Sequence, residues 1–568
     1  MRKQTKLVAV LSTAALLAIG ASMTSFAAQG WAEEDATWVY YDKNGDKVTD
    51  SWKKSGDNWY WLDADGEMAT DMLVEDDDNY YYVDENGAMV RNQWVAIENE
   101  DAGEEDEPDH YWYYFQANGK AYKRSDDSTT ISAKTINGKK YAFDSDGKML
   151  YGWVAEDNAE RVDNTDGDGF KEGIYYFGGE DDGAMAIGWQ LISITDDEAD
   201  RAQPGDDFWD EDQDRWFYFK TSGKKQGEST NKKINGKRYG FDESGRMVAS
   251  WYIDESVASA TTATKGEVAG EMGQGGAAYS KEFMYFSNPE DGARYTKGWF
   301  KVVPGYYLQQ GKYEEDSEYW YYADGDGNLT TNEIKKIKGK KYGFDNYGRM
   351  ISGLALLQMN GDTEIVSKIA NDEGDYQYET EDEFDATVAK LAGEGELNTD
   401  AGYRFYYFGG SDDGAMKTGK QNVDLDGETV SFRFETKSNL KGAGITGMDD
   451  DKYYLGGKLI KADKEDKFMI VEAVDDVVQG DTDGEVQMKV KDFIADYCGG
   501  YANPVGEDHD DYKKDARTWV VENPEAVANF RVLNSSGTVS KSKTVKDGDD
   551  YKITVNKDKQ ITKITLED

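Results

Sequence analysis

Two residue sets in this chain could do chemistry, and their sizes are very different. The nucleophilic set is small: one cysteine, Cys498, and two histidines, His110 and His509. A Cys498–His509 dyad is the one formal pairing, and neither histidine stands in a recognisable catalytic motif. A single cysteine also excludes an intramolecular disulfide framework. The aromatic set is large, with 15 Trp, 39 Tyr and 21 Phe, and it is spaced in runs. Trp38-Val39-Tyr40-Tyr41, Trp59-Tyr60-Trp61, Tyr80-Tyr81-Tyr82 and Trp112-Tyr113-Tyr114-Phe115 are four of them. Alternation along a strand puts Trp59 and Trp61 on one face and Tyr60 on the other.

The elements that position these rings repeat. Each aromatic run leads into a polar turn ending in Gly, such as Asp84-Glu85-Asn86-Gly87, and then a short strand with Met, often followed by Gly-Trp. Aromatic residues around an Asx-Gly corner mark a β-hairpin, here drawn between the aromatic run and the Met strand after it. A second type reads Ile136-Asn-Gly-Lys-Lys-Tyr141, then Ile234 to Tyr239, then Ile337 to Tyr342. Trp112, Trp216 and Trp320 follow one another at equal intervals, so a three-hairpin cassette occurs three times. The spacers, including Glu98 to Asp109, Asp196 to Asp214 and Ser256 to Ser280, are acidic or rich in small residues and read as surface loops.

One hairpin is not stable alone in water, so successive hairpins must stack. The expected fold is all-β: tandem β-hairpin repeats in a β-solenoid-like array, with almost no long helix between Trp38 and Gly457. A smaller, less regular C-terminal region follows. The expected organisation is a secretory signal over 1–27, N-terminal hairpin repeats over 28–110, and three cassettes with degenerate repeats over 111–460. Residues 461–568 read as degenerate hairpins or a small α+β cap. The signal rests on Arg2, Lys3 and Lys6 before the apolar run Leu7 to Ala21, with Ser25 and Ala27 at the cleavage site. No other stretch is long and apolar enough to span a bilayer.

The net charge of −48 argues against nucleic acid and anionic membranes, which need positive patches. Asp324-Gly-Asp326-Gly327-Asn328 with Glu333 partly matches a calcium loop. Tyr322 occupies its first ligand position, however, and the stretch aligns with the turns of the other hairpins. Turn chemistry is therefore the better reading. No metal site, cofactor or catalytic residue is assigned.

The repeated pattern of Gly-Trp or Ser-Trp, a spacer, Trp-Tyr-Tyr-Phe, a turn ending in Gly, then Met, resembles the choline-binding repeats of bacterial autolysins. It also resembles the wider family of cell-wall-binding and glucan-binding repeats. The resemblance covers roughly Trp38 to Gly457 with interruptions. It implies a secreted, non-catalytic protein held on the cell wall or cell surface. The implied partners are choline-substituted teichoic acid or a wall or extracellular polysaccharide, with room for weak self-association. A quaternary ammonium makes no hydrogen bonds and is held on aromatic faces. In the family such a cage forms between consecutive hairpins. Carried over, the first cage takes Trp52, Trp59 and Tyr81 with Met68 nearby, and the preceding one Trp38 and Trp61. Trp94, Trp112, Trp153 and Trp189 occupy matching positions further on. The same rings also pack hairpin on hairpin, so each has a structural reading beside the ligand reading. Asp71-Met72 departs from Gly-Trp, and complete cages are expected in the first third. An adhesin or toxin-like array recognising host glycans, and a wall hydrolase with a C-terminal catalytic unit, are the alternatives.

Overall fold

The structure, a computed structural model, describes residues 29–567 apart from 105–106, 197–210, 254–275, 307, 372–373, 399–401, 481–484 and 500–517. The expected signal, His509 and most of the Ser256 to Ser280 spacer lie outside the described residues. The chain gathers into two compact units, Met1–Ile194 with Phe217–Gln226, and Thr195–Trp216 with Gly227–Asp568.

In the first unit, antiparallel hairpins follow one another in chain order. Gly30–Glu34 pairs with Thr37–Tyr41, Ser51–Ser55 with Asn58–Leu62, and Met72–Asp76 with Asn79–Val83. Gln93–Glu98 pairs with His110–Phe115, Lys134–Ile136 with Lys139–Tyr141, and Trp153–Val154 with Tyr175–Tyr176. The tight turns take the residues that tolerate positive φ. Asp77 and Asp78 sit at 48° and 58°, and Asn137 and Gly138 at 49° and 85°. These angles give the type I′ turn that matches strand twist.

The strand partner of each aromatic run is therefore the strand before it, which in most hairpins carries a tryptophan, and the expected pairing with the Met strand is corrected. The Met segment makes only isolated bridges, in the second hairpin Leu62 to Met68 and Val39 to Glu67. The polar turn between them is closed by its aspartate. Asp63 Oδ1 accepts the N–H groups of Asp65 (3.0 Å) and Glu67 (2.8 Å). This turn joins one hairpin to the next.

Two recurring contacts set the step between hairpins. The Met68 N–H donates to the Trp38 carbonyl of the previous hairpin (2.7 Å), and Met89 does the same to Trp59 (2.8 Å) and Met149 to Trp112 (2.7 Å). The Met side chain then lies against the turn glycine of the following hairpin. A methyl group on Gly119 would overlap the Met89 sulfur, and the same holds for Gly183 against Met149. This contact is why Met and Gly recur together. At the ends of the aromatic runs Leu62, Val83, Phe115 and Phe177 are all fully buried. Each contributes about 1.5–3 kcal/mol of transfer free energy.

The second unit starts with hairpins of the same kind. Ser229–Ile234 pairs with Lys237–Phe241, and Gly298–Val302 with Tyr319–Ala323. The pattern then broadens. Lys340–Phe344, Glu333–Ile337, Glu364–Ile369, Leu354–Asn360 and Tyr403–Tyr407 form one five-stranded sheet, in that order. A second sheet spans Gly419–Leu425 to Lys458–Leu459. Between strands lies the 13-residue helix Glu381–Gly393, longer than the sequence reading expected here. Thr380 and Glu383 form its capping box, and Phe384, Val388 and Leu391 face inward with helical spacing. Phe384 meets Phe405 and Phe432 at ring distances of 4.6 and 5.2 Å.

At the C-terminal end, strand Phe468–Val474 has two buried faces. Met469, Val471 and Ala473 join the cluster around Phe432. Ile470 joins a separate cluster with Phe493, Trp519 and Ile553. Helix Val490–Tyr497 and strands Tyr551–Val555 and Ile561–Leu566 build that second core.

Candidate functional site

The hairpin register generates one ring arrangement repeatedly. A tryptophan on the first strand faces an aromatic directly across on the second strand. A third ring comes from the middle of the next hairpin's second strand. Trp52 pairs with Trp61 across the strands, with centroids 5.2 Å apart, and Tyr81 stands 5.1 Å from Trp52. The box before it is Trp31, Tyr40 and Tyr60, at 5.5 and 5.4 Å from Trp31. Further on, Trp94 meets Tyr114 at 5.1 Å and Tyr141 at 4.9 Å. In the second unit Trp299 meets Tyr322 at 5.2 Å and Tyr342 at 4.8 Å.

The sequence-assigned residues fall into place unevenly. Trp52 and Tyr81 share a box, but the ring opposite Trp52 is Trp61. Trp59 lies opposite Lys54 on the same face and is 38% exposed. Trp61 therefore belongs to the Trp52 box and not to the one before. Trp38 stands opposite Glu33, and the earlier box is walled by Trp31 instead. Met68 is the joint against Gly87. Trp112 lies 6.5 Å from Trp94, on the rim of that box. Trp189 pairs with Tyr218 at 5.2 Å. Trp153 is only 2% exposed.

Three tryptophans of these boxes, Trp31, Trp299 and Trp320, were not assigned to a ligand site from sequence, and neither were the tyrosines that face them. The signal was present, because Gly30-Trp31 and Gly298-Trp299 carry the same dipeptide as Gly152-Trp153. The Trp299 box repeats the Trp94 box closely. Trp320 stands 6.2 Å from Trp299, as Trp112 stands from Trp94. Phe344 stacks on Trp299 at 5.5 Å, as Phe143 stacks on Trp94 at 5.8 Å. Complete boxes are thus not confined to the first third of the chain.

Carboxylates stand beside the open boxes. The Trp52 indole N–H donates to Asp76 (3.1 Å). Trp112 donates to Asp181 and Trp320 to Asp412, each at 3.1 Å. His110 also reaches Asp181, at 3.2 Å. Burial, with Asp76 and Asp77 nearby, raises the Tyr81 phenol above its ordinary value, so it stays neutral at physiological pH. The rings at Trp52, Trp112 and Trp320 therefore stand beside carboxylates, which favours a cation, whereas in the Trp31 box the Lys53 ammonium already lies 5.5 Å from the Tyr40 ring centre.

Two boxes are closed. Trp153 meets Tyr176 at 4.9 Å and Phe217 at 5.2 Å, the same trio as at Trp52. The Lys225 ammonium lies 5.2 Å from the Trp153 ring centre and 5.9 Å from Phe217. It donates to the Phe170 carbonyl, and the lysine is 6% exposed. Lys225 occupies the chain position that Met68 and Met149 hold after other turns. In the second unit, the Trp251 indole donates to the Val303 carbonyl (2.7 Å), and Gly305 packs on its ring.

Of the other chemical candidates, Cys498 and Asp324 lie among the described residues and His509 does not. Cys498 is buried, and burial followed by Glu522 pushes its thiol up to about 11. Asp324 Oδ1 is occupied by the N–H groups of Asp326 and Asn328, each at 2.9 Å, as Asp63 Oδ1 is by those of Asp65 and Glu67. Among the described residues no group of three or more His, Cys, Asp or Glu is placed to hold a metal ion. No helix among them is long and apolar enough to cross a membrane.

Comparison with known proteins places these repeats. Residues 48–94 match the family model of the choline-binding repeat. The chain is 26% identical over 276 residues to glucosyltransferase-S of Streptococcus mutans serotype c (strain ATCC 700610 / UA159). That match covers 43% of this chain and 16% of the glucosyltransferase. Among solved structures, the modular autolysin LytC of Streptococcus pneumoniae with a synthetic peptidoglycan ligand is 16% identical, covering 59% of this chain and 55% of that one, with a TM-score of 0.29. The choline-binding domain of CbpL from the same organism is 18% identical, covering 55% and 99%, with a TM-score of 0.23.

Proposed function

We propose that this chain, which carries repeats of the choline-binding, cell-wall-binding family, is a secreted, non-catalytic protein that attaches noncovalently to a bacterial surface. The ligand group is a quaternary ammonium, as on choline-substituted teichoic acid. It enters the open boxes at Trp31, Trp52, Trp94 and Trp299. The observation that carries this reading is Lys225. The chain's own ammonium sits against the Trp153 and Phe217 rings, in a trio built from the same register positions as Trp52, Trp61 and Tyr81.

Each ring face on a bound cation contributes roughly 0.5–2 kcal/mol, so single sites are weak. Several sites on one chain, facing a polymer with many choline groups, bind far more strongly. Free choline at millimolar concentration is therefore expected to elute the full-length chain from choline-bearing wall. Purified wall is expected to release no soluble muropeptides or reducing sugars. Failure of choline to elute, with elution by soluble glucan, would overturn the ligand. The match to a glucosyltransferase favours that second reading, in which the same rings stack on sugar faces.

A further inference from the structure

The turn after each second-type hairpin carries an aspartate and, four residues on, a cation: Asp144 and Lys148, Asp242 and Arg246, Asp345 and Arg349. In two of the three cassettes the chain sets a further carboxylate against that cation. In the first, Glu107 lies in the field of Lys148, whose ammonium is 3.8 Å from the Tyr111 ring centre. In the second, Arg246 pairs with Asp242 at 2.6 Å and, through Nη1, with Asp196. In the third, Arg349 pairs with Asp345 at 2.7 Å and lies 5.0 and 4.6 Å from the Tyr319 and Tyr347 ring centres. No further carboxylate pairs with Arg349 among the described residues. What comes near it instead is a second cation, Lys368 of strand Glu364–Ile369.

Lys368 is partly buried, and its ammonium makes no hydrogen bond or ion pair among the described residues. Its ring contact is Tyr376, whose centre is 5.8 Å away and which is 40% exposed. The Nζ atom is not sealed from solvent, so an incoming group can reach it. Other enclosed cations of this chain have acceptors. Lys225 has the Phe170 carbonyl, Lys458 has Glu381 and Asp385, and Arg404 has the Gly361 carbonyl at 2.7 Å. The charges that act on Lys368 are the Asp345 carboxylate and the Arg349 guanidinium, so one acid serves two bases. Burial, opposed by Asp345 and reinforced by Arg349, brings the ammonium down to about 8. A charge taken out of water needs a counter-charge, and here the fold does not supply it.

A quaternary ammonium would be repelled by the two cations, and a neutral sugar would leave the excess charge uncompensated. A carboxylate is held best by the guanidinium fork, but Asp345 already takes Nε at 2.8 Å and Nη2 at 2.7 Å. A phosphate oxygen binds an ammonium as a point charge and needs no fork. We propose that Lys368, with Arg349 beside it, forms an oxyanion site that takes a phosphate group, either free phosphate or the phosphodiester of a wall polymer. The ligand fills in the third cassette the role that Glu107 and Asp196 fill in the first two. None of these residues belongs to an aromatic box, so the site stands or falls apart from the cation reading.

The test uses the full-length chain in calorimetry at low ionic strength, with inorganic phosphate, dimethyl phosphate and acetate as probes. Millimolar binding of inorganic phosphate is expected, with acetate weaker by about tenfold or more. Dimethyl phosphate separates the two sources. Its binding shows that a polymer diester fits, and its failure beside bound phosphate assigns the site to free phosphate. Lys368→Met keeps the stem and removes the charge. It is expected to weaken phosphate by about tenfold or more, with the unfolding midpoint unchanged or raised and choline elution unchanged. Tyr376→Glu supplies a carboxylate like those of the other cassettes, and it is expected to abolish phosphate binding and raise the midpoint. The proposal is overturned if inorganic phosphate does not bind at millimolar concentration, or if acetate binds as tightly. It is also overturned if Lys368→Met lowers the midpoint and leaves phosphate binding intact.

Discussion

The Trp52 box and the Trp153 box are built from the same three register positions, yet Trp52 stays half-buried over Trp61 and Tyr81, whereas Trp153 is 2% exposed and carries a lysine on its face. At Trp52 the return residue after the next turn is a methionine, Met89, which bonds back to Trp59 and packs on Gly119. At Trp153 the return residue is Lys225. Its ammonium lies against the rings, and the inserted segment carrying Phe170 closes over them. A single exchange at the return position, with one insertion, thus separates the half-buried Trp52 trio, the one proposed to take a ligand, from the buried Trp153 trio. The ring geometry alone does not distinguish them. What lies over the faces does.

The contrast is broken most directly by removing each tryptophan. Trp153→Ala empties a buried site and is expected to cost about 3–5 kcal/mol in chemical denaturation. Trp52→Ala removes a half-buried ring and is expected to cost less than half of that. Equal losses would mean that the Trp52 box is also a core site. Lys225→Ala comes next. It removes a desolvated cation from two rings and is expected to cost about 2 kcal/mol. Lys225→Met, which restores the residue other repeats use, is expected to cost less. If the lysine were merely tolerated there, Lys225→Met would be stabilising.

Binding sharpens the same contrast. In calorimetry with choline on the full-length chain, Trp52→Ala is expected to remove one site from the stoichiometry. Trp299→Ala is expected to remove another, and Trp153→Ala none among variants that remain folded. Trp59→Ala keeps the count and weakens one site by about 0.5 kcal/mol, roughly twofold, because Trp59 stands beyond the trio.

What was legible in the sequence follows from what repeats. The hairpins, the all-β class and the Asx-Gly turns could be read, because φ > 0 at Asn137-Gly138 and the alternation in Trp59-Tyr60-Trp61 are local requirements. The pairing partner of each aromatic run was misassigned. The polar turn after it and the two-residue turn before it look alike in sequence, and only the ladder of Trp52 opposite Trp61 decides. Helix Glu381–Gly393 carries a local signal in its capping box, Thr380 to Glu383, but it interrupts a hairpin repeat whose period does not announce it. The filling of the Trp153 box was not legible. Lys225 reads as one more surface lysine until the fold brings it against the ring of Trp153, far earlier in the chain.

The smallest expected effect concerns the field around the open box. Asp76 accepts the Trp52 indole N–H at 3.1 Å, so its charge lies close to where the cation would rest. Lys225 brings its own charge to a buried box, whereas an external ammonium must be drawn from water. Two unit charges several ångströms apart at a solvated surface interact by about 0.5–1 kcal/mol. Asp76→Asn keeps an acceptor for the indole and removes the charge. It is therefore expected to weaken choline at that site by about two- to fourfold in dilute buffer, with no change in stoichiometry. At roughly 1 M salt the screening length shortens to about 3 Å, and the variant and the parent chain are expected to bind alike. A loss that persists at high salt would show that Asp76 acts by orienting the Trp52 ring. The carboxylate would then belong to the construction of the box, as the Phe170 carbonyl does for Lys225, and not to its attraction for a cation.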